Sequence, residues 1–339
     1  MEPARLFVRG LVLMLFSAAL ALTNGQARAE ERTTGKDAED ILAAVVKVKM
    51  KALVDARTRP FLGGEREGTG IVIDNRGHVL TIGYVVIEAD SIEITTVEGK
   101  TVPGTLAGYD HATGFALLRP AMPIDVKPVS LGTSADVGER DPVLIVPYGG
   151  RDEAKLAIVA SRREFTGNWE YLLDSAIFTT PPILNWAGSA LIDRQGKLVG
   201  VGSLFVRNSL EAERPIPGNM FVPIDLLKPI LPDLIDKGRA KGPARPWLGL
   251  ATEEVQGHLF VSRVSPGGPA DKAGVRTGDV VVAVAGEAVG SHGDFYRRVW
   301  ALGSAGTDVP LKVLQGATLN ELSVHSIDRV EYLRTKPTY

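Results

Sequence analysis

Short apolar runs separated by turn residues dominate this chain and restrict it to a β-rich fold. Gly70-Ile71-Val72-Ile73 runs into the turn Asp74-Asn75-Arg76-Gly77, and Val79-Leu80-Thr81 follows. Residues 91–97 lead to the hairpin turn Glu98-Gly99-Lys100, and residues 115–118, 142–146, 156–160, 190–192 and 198–204 continue the series. Strand-length runs bounded by Gly, Asp, Asn and Pro at this spacing predict an antiparallel barrel or sandwich. Composition points the same way: 37 Gly and 21 Pro with only 6% aromatic residues suit turns and strands better than a helical bundle.

At 339 residues the chain has room for about two domains. Val46, Val48 and Met50 alternate within a first strand that follows a short helix or turn beginning at Ile41, and residues 57–70 read as a Gly- and Arg-rich loop. Residues 223–237 carry helical periodicity at Ile224, Leu227, Ile230, Leu231 and Leu234, interrupted by Pro229 and Pro232. The Lys/Arg/Gly/Pro stretch 238–246 is the best domain boundary. The expected organisation is a targeting segment over 1–29, a disordered segment over 30–40, a barrel domain over 41–237, a linker over 238–246 and a smaller domain over 247–334.

Arg5 and Arg9 precede an apolar run over residues 11–22, and Ala27-Arg28-Ala29 has the small-x-small form of an export cleavage site, with cleavage expected after Ala29. That run is shorter than the roughly 20 residues a bilayer span needs. Loss of Arg5, Arg9, Arg28 and Glu2 would move the formal net charge from −2 to −4, and no basic groove for nucleic acid or polybasic membrane patch is evident. The chain has no cysteine, which excludes disulfides, thiol chemistry and Cys-based zinc sites. An exported chain without disulfides fits a bacterial periplasm. No His pair or acidic cluster has metal-ligand spacing, and no glycine pair is followed by the Lys-Ser/Thr of a phosphate loop, so neither metal nor cofactor is expected.

Several segments, in order, resemble the HtrA (Deg) family. They are Gly68-Thr69-Gly70-Ile71-Val72-Ile73-Asp74, Asp110 to Leu118, Gly138-Glu139 with Val143 to Pro147, and Val222-Pro223-Ile224-Asp225. Gly268-Pro269-Ala270-Asp271-Lys272-Ala273-Gly274-Val275-Arg276-Thr277-Gly278-Asp279 is similar to a PDZ signature, and Arg245-Pro246-Trp247-Leu248-Gly249-Leu250 looks like the loop and strand that receive a peptide C-terminus. The resemblance implies a mainly β chain with a trypsin-like double β-barrel followed by a PDZ domain.

It also implies a serine-protease triad, and here the matched positions differ. Thr81-Ile82-Gly83-Tyr84-Val85-Val86 puts Tyr84 where the family has its histidine base, Gly114 stands at the aspartate, and Ala187 in Asn185-Trp186-Ala187-Gly188-Ser189 stands at the serine. A methyl group cannot attack a carbonyl, and a phenol with a pKa of about 10 is a poor base at neutral pH. Disabling a triad costs on the order of a millionfold in turnover. Asn185 replaces a glycine of the oxyanion turn, and positive φ with some strain is expected there. The alternative is a divergent serine endopeptidase that uses Ser189 as nucleophile and His111 as base. Otherwise His111 reads as a solvated loop residue.

The chemistry that remains is peptide capture. In the PDZ mode a peptide adds as a strand and backbone N–H groups hold its carboxylate. Leu248, Gly249 and Leu250 are the expected amides, with Arg245 adding charge and Trp247 either helping to bind or sealing the domain boundary. The expected partners are polypeptides, as extended chains or C-termini, and an active HtrA-type protease. Members of the family often form homo-oligomers through N-terminal segments, but residues 30–45 here carry no aromatic cluster for such contacts, and the sequence determines no oligomeric state. The expected function is that of a periplasmic pseudoprotease acting in protein quality control as adaptor, chaperone or regulator.

Overall fold

The computed structural model describes residues 38–210 and 213–334. The targeting segment expected over 1–29, and residues 30–37 of the segment expected to be disordered, lie outside the described residues. Residues 38–44 are helical, so the last three positions expected to lack structure have it.

Two closed six-stranded antiparallel barrels follow one another. The first is built from β1 (Val45–Ala52), β2 (Glu65–Val72), β3 (Val79–Ile82), β4 (Ala89–Thr95), β5 (Thr101–Tyr109) and β6 (Phe115–Pro120), closing in the order β1-β2-β3-β6-β5-β4. In β1 the alternation is realised: Val46, Val48 and Met50 are buried, while Lys49 and Lys51 face out. The second barrel comprises β7 (Pro142–Val146), β8 (Lys155–Gly167), β9 (Tyr171–Thr180), β10 (Ala190–Ile192), β11 (Leu198–Val206) and β12 (Gly218–Pro223), closing as β10-β11-β12-β9-β8-β7. Phe115, Leu117, Leu118, Phe178 and Met220 share one apolar core that joins the barrels.

The chain leaves the second barrel through a 3-10 turn and α1 (Leu231–Lys237). Pro232 sits in the first turn of α1, where its missing N–H has no intrahelical partner to lose, and Gly238 closes the helix in the left-handed conformation. Residues 238–246 are pinned at both ends. Tyr109 N–H donates to Gly238 O (3.0 Å), and Ala305 N–H donates to Ala244 O (2.9 Å).

The C-terminal domain is a sheet of β13 (Leu250–Val255), β14 (His258–Val264), β15 (Val280–Val284), β16 (Glu287–Ala288), β17 (Asp308–Gln315) and β18 (Thr318–His325), with β13 at one edge. α2 (His292–Ala301) buries Phe295, Tyr296 and Val299 against it, and Ser291 caps the helix by accepting from Asp294 N–H. α3 (Arg329–Tyr332) returns the chain to the first barrel, where Arg334 N–H donates to Glu88 Oε1 (2.7 Å).

The loop expected over 57–70 is a strand from Glu65 onward. Its polar appearance comes from Arg66, which points inward and donates to Tyr84 O and Ile87 O at 3.0 Å each. The β8–β9 hairpin reaches beyond its own barrel, and Leu172 joins the apolar core of the C-terminal domain.

Candidate functional site

The first candidate lies where the barrels meet. Gly188 has φ +75°, and Ser189 N–H donates to Trp186 O (3.0 Å), closing a tight turn with glycine at its left-handed position. A Cβ on Gly188 would stand 2.0 Å from Thr69 O of β2, so the turn presses directly on the first barrel. Thr69 N–H donates to Ala187 O (2.7 Å), and Gly188 N–H donates to Gly202 O (2.8 Å). The strain expected at Asn185 is not there. Asn185 is absent from the positive-φ residues, because Gly188 takes up the reversal, and its exposed side chain reaches Glu153.

Tyr84 lies on the helical turn Gly83–Val86 directly after β3. Its hydroxyl donates across the barrel interface to Ser203 O on β11 (2.7 Å), and the Trp186 side chain also bonds it. Burial drives its pKa above the ordinary range. A neutral phenol committed to a carbonyl has no capacity to take a proton from a neighbour. Gly114, at φ +80°, accepts from Gly83 N–H at its carbonyl (2.7 Å), beside Tyr84. Tyr84 and the Ala187 turn thus converge on Gly202–Ser203, while Gly114 adjoins them through Gly83.

Ser189 and His111 have other partners. The Ser189 side chain is fully buried and its hydroxyl donates to Trp186 O (2.9 Å). His111 is half-buried, not solvated: Tyr109 Oη lies 3.3 Å from its Nδ1, and the Arg329 guanidinium lies 3.0 and 3.1 Å from its two ring nitrogens. Burial, followed by the charges of Arg329 and Arg245, holds this imidazole well below its ordinary pKa. It faces a cleft of about 750 Å³ bounded by residues 237–245 and 328–330, to which neither Tyr84 nor Ala187 contributes.

The second candidate is the loop that opens β13. Leu248, Gly249 and Leu250 turn their N–H groups toward one point, with Gly249 at φ +81° allowing the close approach. A carboxylate is already there. Leu248 N–H donates to Glu170 Oε2 (2.9 Å), while Gly249 and Leu250 N–H donate to Glu170 Oε1 (2.7 and 3.0 Å). Glu170 belongs to the β8–β9 hairpin and is 4% exposed. Burial lifts its pKa to about 7 against the opposing pull of the three amides and of Arg329.

The other two expected binding residues, Arg245 and Trp247, pack against neighbouring rings. Arg245 lays its guanidinium over the Trp300 ring at 4.3 Å. Trp247 bridges Ile327 through its backbone and packs on Tyr332 with ring centroids 4.7 Å apart, and its ring also lies against Gly249. Glu170 itself has almost no signature in the sequence. It is one glutamate in a turn, and its partners lie 78 to 80 residues away. Among the described residues, no group of three or more His, Cys, Asp or Glu could hold a metal ion, and no helix is long and apolar enough to cross a membrane.

Residues 68–201 match the model of a trypsin-like peptidase domain and residues 246–325 that of a PDZ domain. A probable periplasmic serine endoprotease DegP-like of Hahella chejuensis is 28% identical over 241 residues, covering 66% of this chain and 49% of that protein. Serine endoprotease DegS of Escherichia coli K12 is 27% identical over 243 residues, covering 64% of each chain. The periplasmic pH-dependent serine endoprotease DegQ of the same strain is 28% identical over 291 residues, covering 80% of this chain and 61% of DegQ. The chain thus spans about half to two thirds of the length of these relatives. Among solved structures, the HtrA-type protease AlgW with decapeptide superposes with TM-score 0.53 at 19% identity, over 89% of this chain and 99% of that one. A serine endoprotease from Yersinia pestis does so with TM-score 0.50 at 22% identity, over 87% and 97%. At such identities these likenesses speak to the fold.

Proposed function

Starting from a chain of HtrA/Deg type, a trypsin-like domain followed by a PDZ domain, we propose that it works by holding polypeptides and not by cutting them. It is read as a non-catalytic periplasmic homologue that captures exposed C-termini or extended chains as an adaptor, chaperone or regulator in protein quality control. An active HtrA-type protease is one natural partner.

Two features support this reading. In the barrels, the positions that resemble the family's base, acid and nucleophile are Tyr84, Gly114 and Ala187, and the Tyr84 hydroxyl is spent on Ser203 O. Acyl transfer needs a nucleophile and a base within hydrogen-bond reach of each other. The surrogate pair does not supply them, since Ser189 bonds Trp186 and the His111 ring nitrogens face the Arg329 guanidinium. In the C-terminal domain, the amides of Leu248, Gly249 and Leu250 surround a carboxylate with short, convergent bonds. This single observation carries the binding reading, because a carboxylate acceptor is what a polypeptide C-terminus presents. The residues proposed to bind are therefore Leu248, Gly249 and Leu250.

The test is fluorescence anisotropy with a labelled decapeptide that has an apolar, free C-terminus, beside the same peptide amidated. A saturable signal for the free acid that drops at least tenfold in affinity on amidation is expected. Equal binding of both forms overturns carboxylate capture.

A further inference from the structure

We propose that the β8–β9 hairpin is an internal ligand of the C-terminal domain, with Glu170 occupying the cradle that an incoming polypeptide carboxylate must enter. This rests on the peptide-binding reading for what is being excluded. The contact itself stands on its own geometry.

The hairpin copies an added strand at three points. Its carboxylate takes the amides of Leu248, Gly249 and Leu250. Its backbone pairs with the open edge of β13, where Thr252 N–H donates to Asn168 O (3.3 Å). A side chain is supplied by Leu172, which enters the apolar core of the C-terminal domain. From α2, the Tyr296 hydroxyl donates to Gly167 O (2.7 Å) and accepts from Glu170 N–H (3.3 Å), fastening the tip. Strand addition with carboxylate capture is how a PDZ domain takes its ligand. Here one segment of the same chain performs each part.

The hairpin backbone points to the same role. Gly167 pairs with Tyr171, leaving a three-residue loop whose last member, Glu170, has φ +63°. Such loops place a left-handed residue at that position, and glycine or asparagine fits it best. A glutamate there carries a conformational cost that glycine would not. The compensation comes from the three amides across the domain boundary.

An occupant tethered to its own site competes at high effective concentration. An incoming peptide meets only the fraction of molecules whose cradle is open, and its apparent affinity falls by that fraction. Removing the Glu170 carboxyl is expected to tighten binding of a free C-terminus.

The experiment compares the full chain with Glu170→Ala and Glu170→Gly. The glycine variant suits the left-handed loop position and guards against misfolding. Anisotropy is read with the labelled free-acid decapeptide and its amide, and backbone amide exchange is followed at Leu248, Gly249 and Leu250. Both variants should bind the free acid at least tenfold more tightly than the parent, with the amidated peptide unchanged. The three amides should exchange at least tenfold faster in the absence of peptide. Equal free-acid affinity in parent and variants overturns the internal ligand. If no form binds peptide, the peptide reading fails and exchange alone decides: faster exchange in the variants upholds Glu170 as the occupant, and unchanged exchange refutes it.

Discussion

The barrel interface and the amide cradle are both filled, but by different kinds of occupant. At the interface, the Tyr84 hydroxyl, Ser203 O, the Ala187 carbonyl and Thr69 N–H are satisfied by one another, deep in packing shared by both barrels. Emptying that site means taking apart the core. In the cradle the occupant is a side chain on a hairpin tip whose neighbours, Asn168 and Glu164, are exposed. On the reading proposed above, the interface serves as structure, whereas the cradle, filled by a loop, can be opened.

The sharpest break of this contrast comes at Gly188. A Cβ there would meet Thr69 O at 2.0 Å on a backbone at φ +75°. Gly188→Ala is expected to lower stability by about 3 kcal/mol or more in denaturant unfolding. A loss under 1 kcal/mol would mean that the barrel interface is loose. Next is Tyr84→Phe, which strips the partner from a buried carbonyl at Ser203 and should cost about 1–3 kcal/mol. On the proposed reading peptide enters at the cradle, so peptide affinity should not change. A clear shift in peptide affinity would join two regions that this account keeps apart.

The cradle should respond in the opposite sense. Glu170→Gly should raise free-acid affinity about tenfold, equivalent to about 1.4 kcal/mol, while altering barrel stability little. A smaller effect follows from pH. Burial is the main cause that sets the Glu170 pKa at about 7 when docked, against an ordinary 4.5. A folded pKa raised above the undocked value means that docking is favoured by protonation. The docked contact is fully supported below about 4.5 and loses that support as pH rises through about 7. The groups facing this carboxyl are the Tyr296 hydroxyl on α2 and the Arg329 charge on α3. Free-acid affinity of the parent chain should therefore tighten several-fold from pH 5.5 to 7.5 and stay flat in Glu170→Gly. The reverse slope would mean that the three amides outweigh burial. Least of all, Arg297→Ala removes exposed pairs with Glu164 and Asp174, and should change stability by no more than about 0.5 kcal/mol.

How much of this was legible in the sequence differs by region. The strands Pro142–Val146 and Ala190–Ile192 match their apolar runs because turn residues bound them on both sides. The start of β2 was hidden because Arg66, though charged, is buried and satisfied by carbonyls of a later turn. The gathering of Tyr84, Gly114 and Ala187 around one interface was accessible only through resemblance, since composition and period say nothing about which loops meet. Leu248, Gly249 and Leu250, expected to take a peptide carboxylate, here take that of Glu170, while Arg245 and Trp247 contact Trp300, Ile327 and Tyr332. Glu170 could not be found, because its role exists only once the second barrel and the C-terminal domain are packed together.

The claim that this molecule holds and does not cut is tested most directly by incubating the purified protein with a fluorophosphonate probe and with casein, then locating any adduct by peptide mapping. The account predicts no adduct in the barrels and intact casein. An adduct on Ser189, with casein cleavage that disappears in Ser189→Ala, would contradict it.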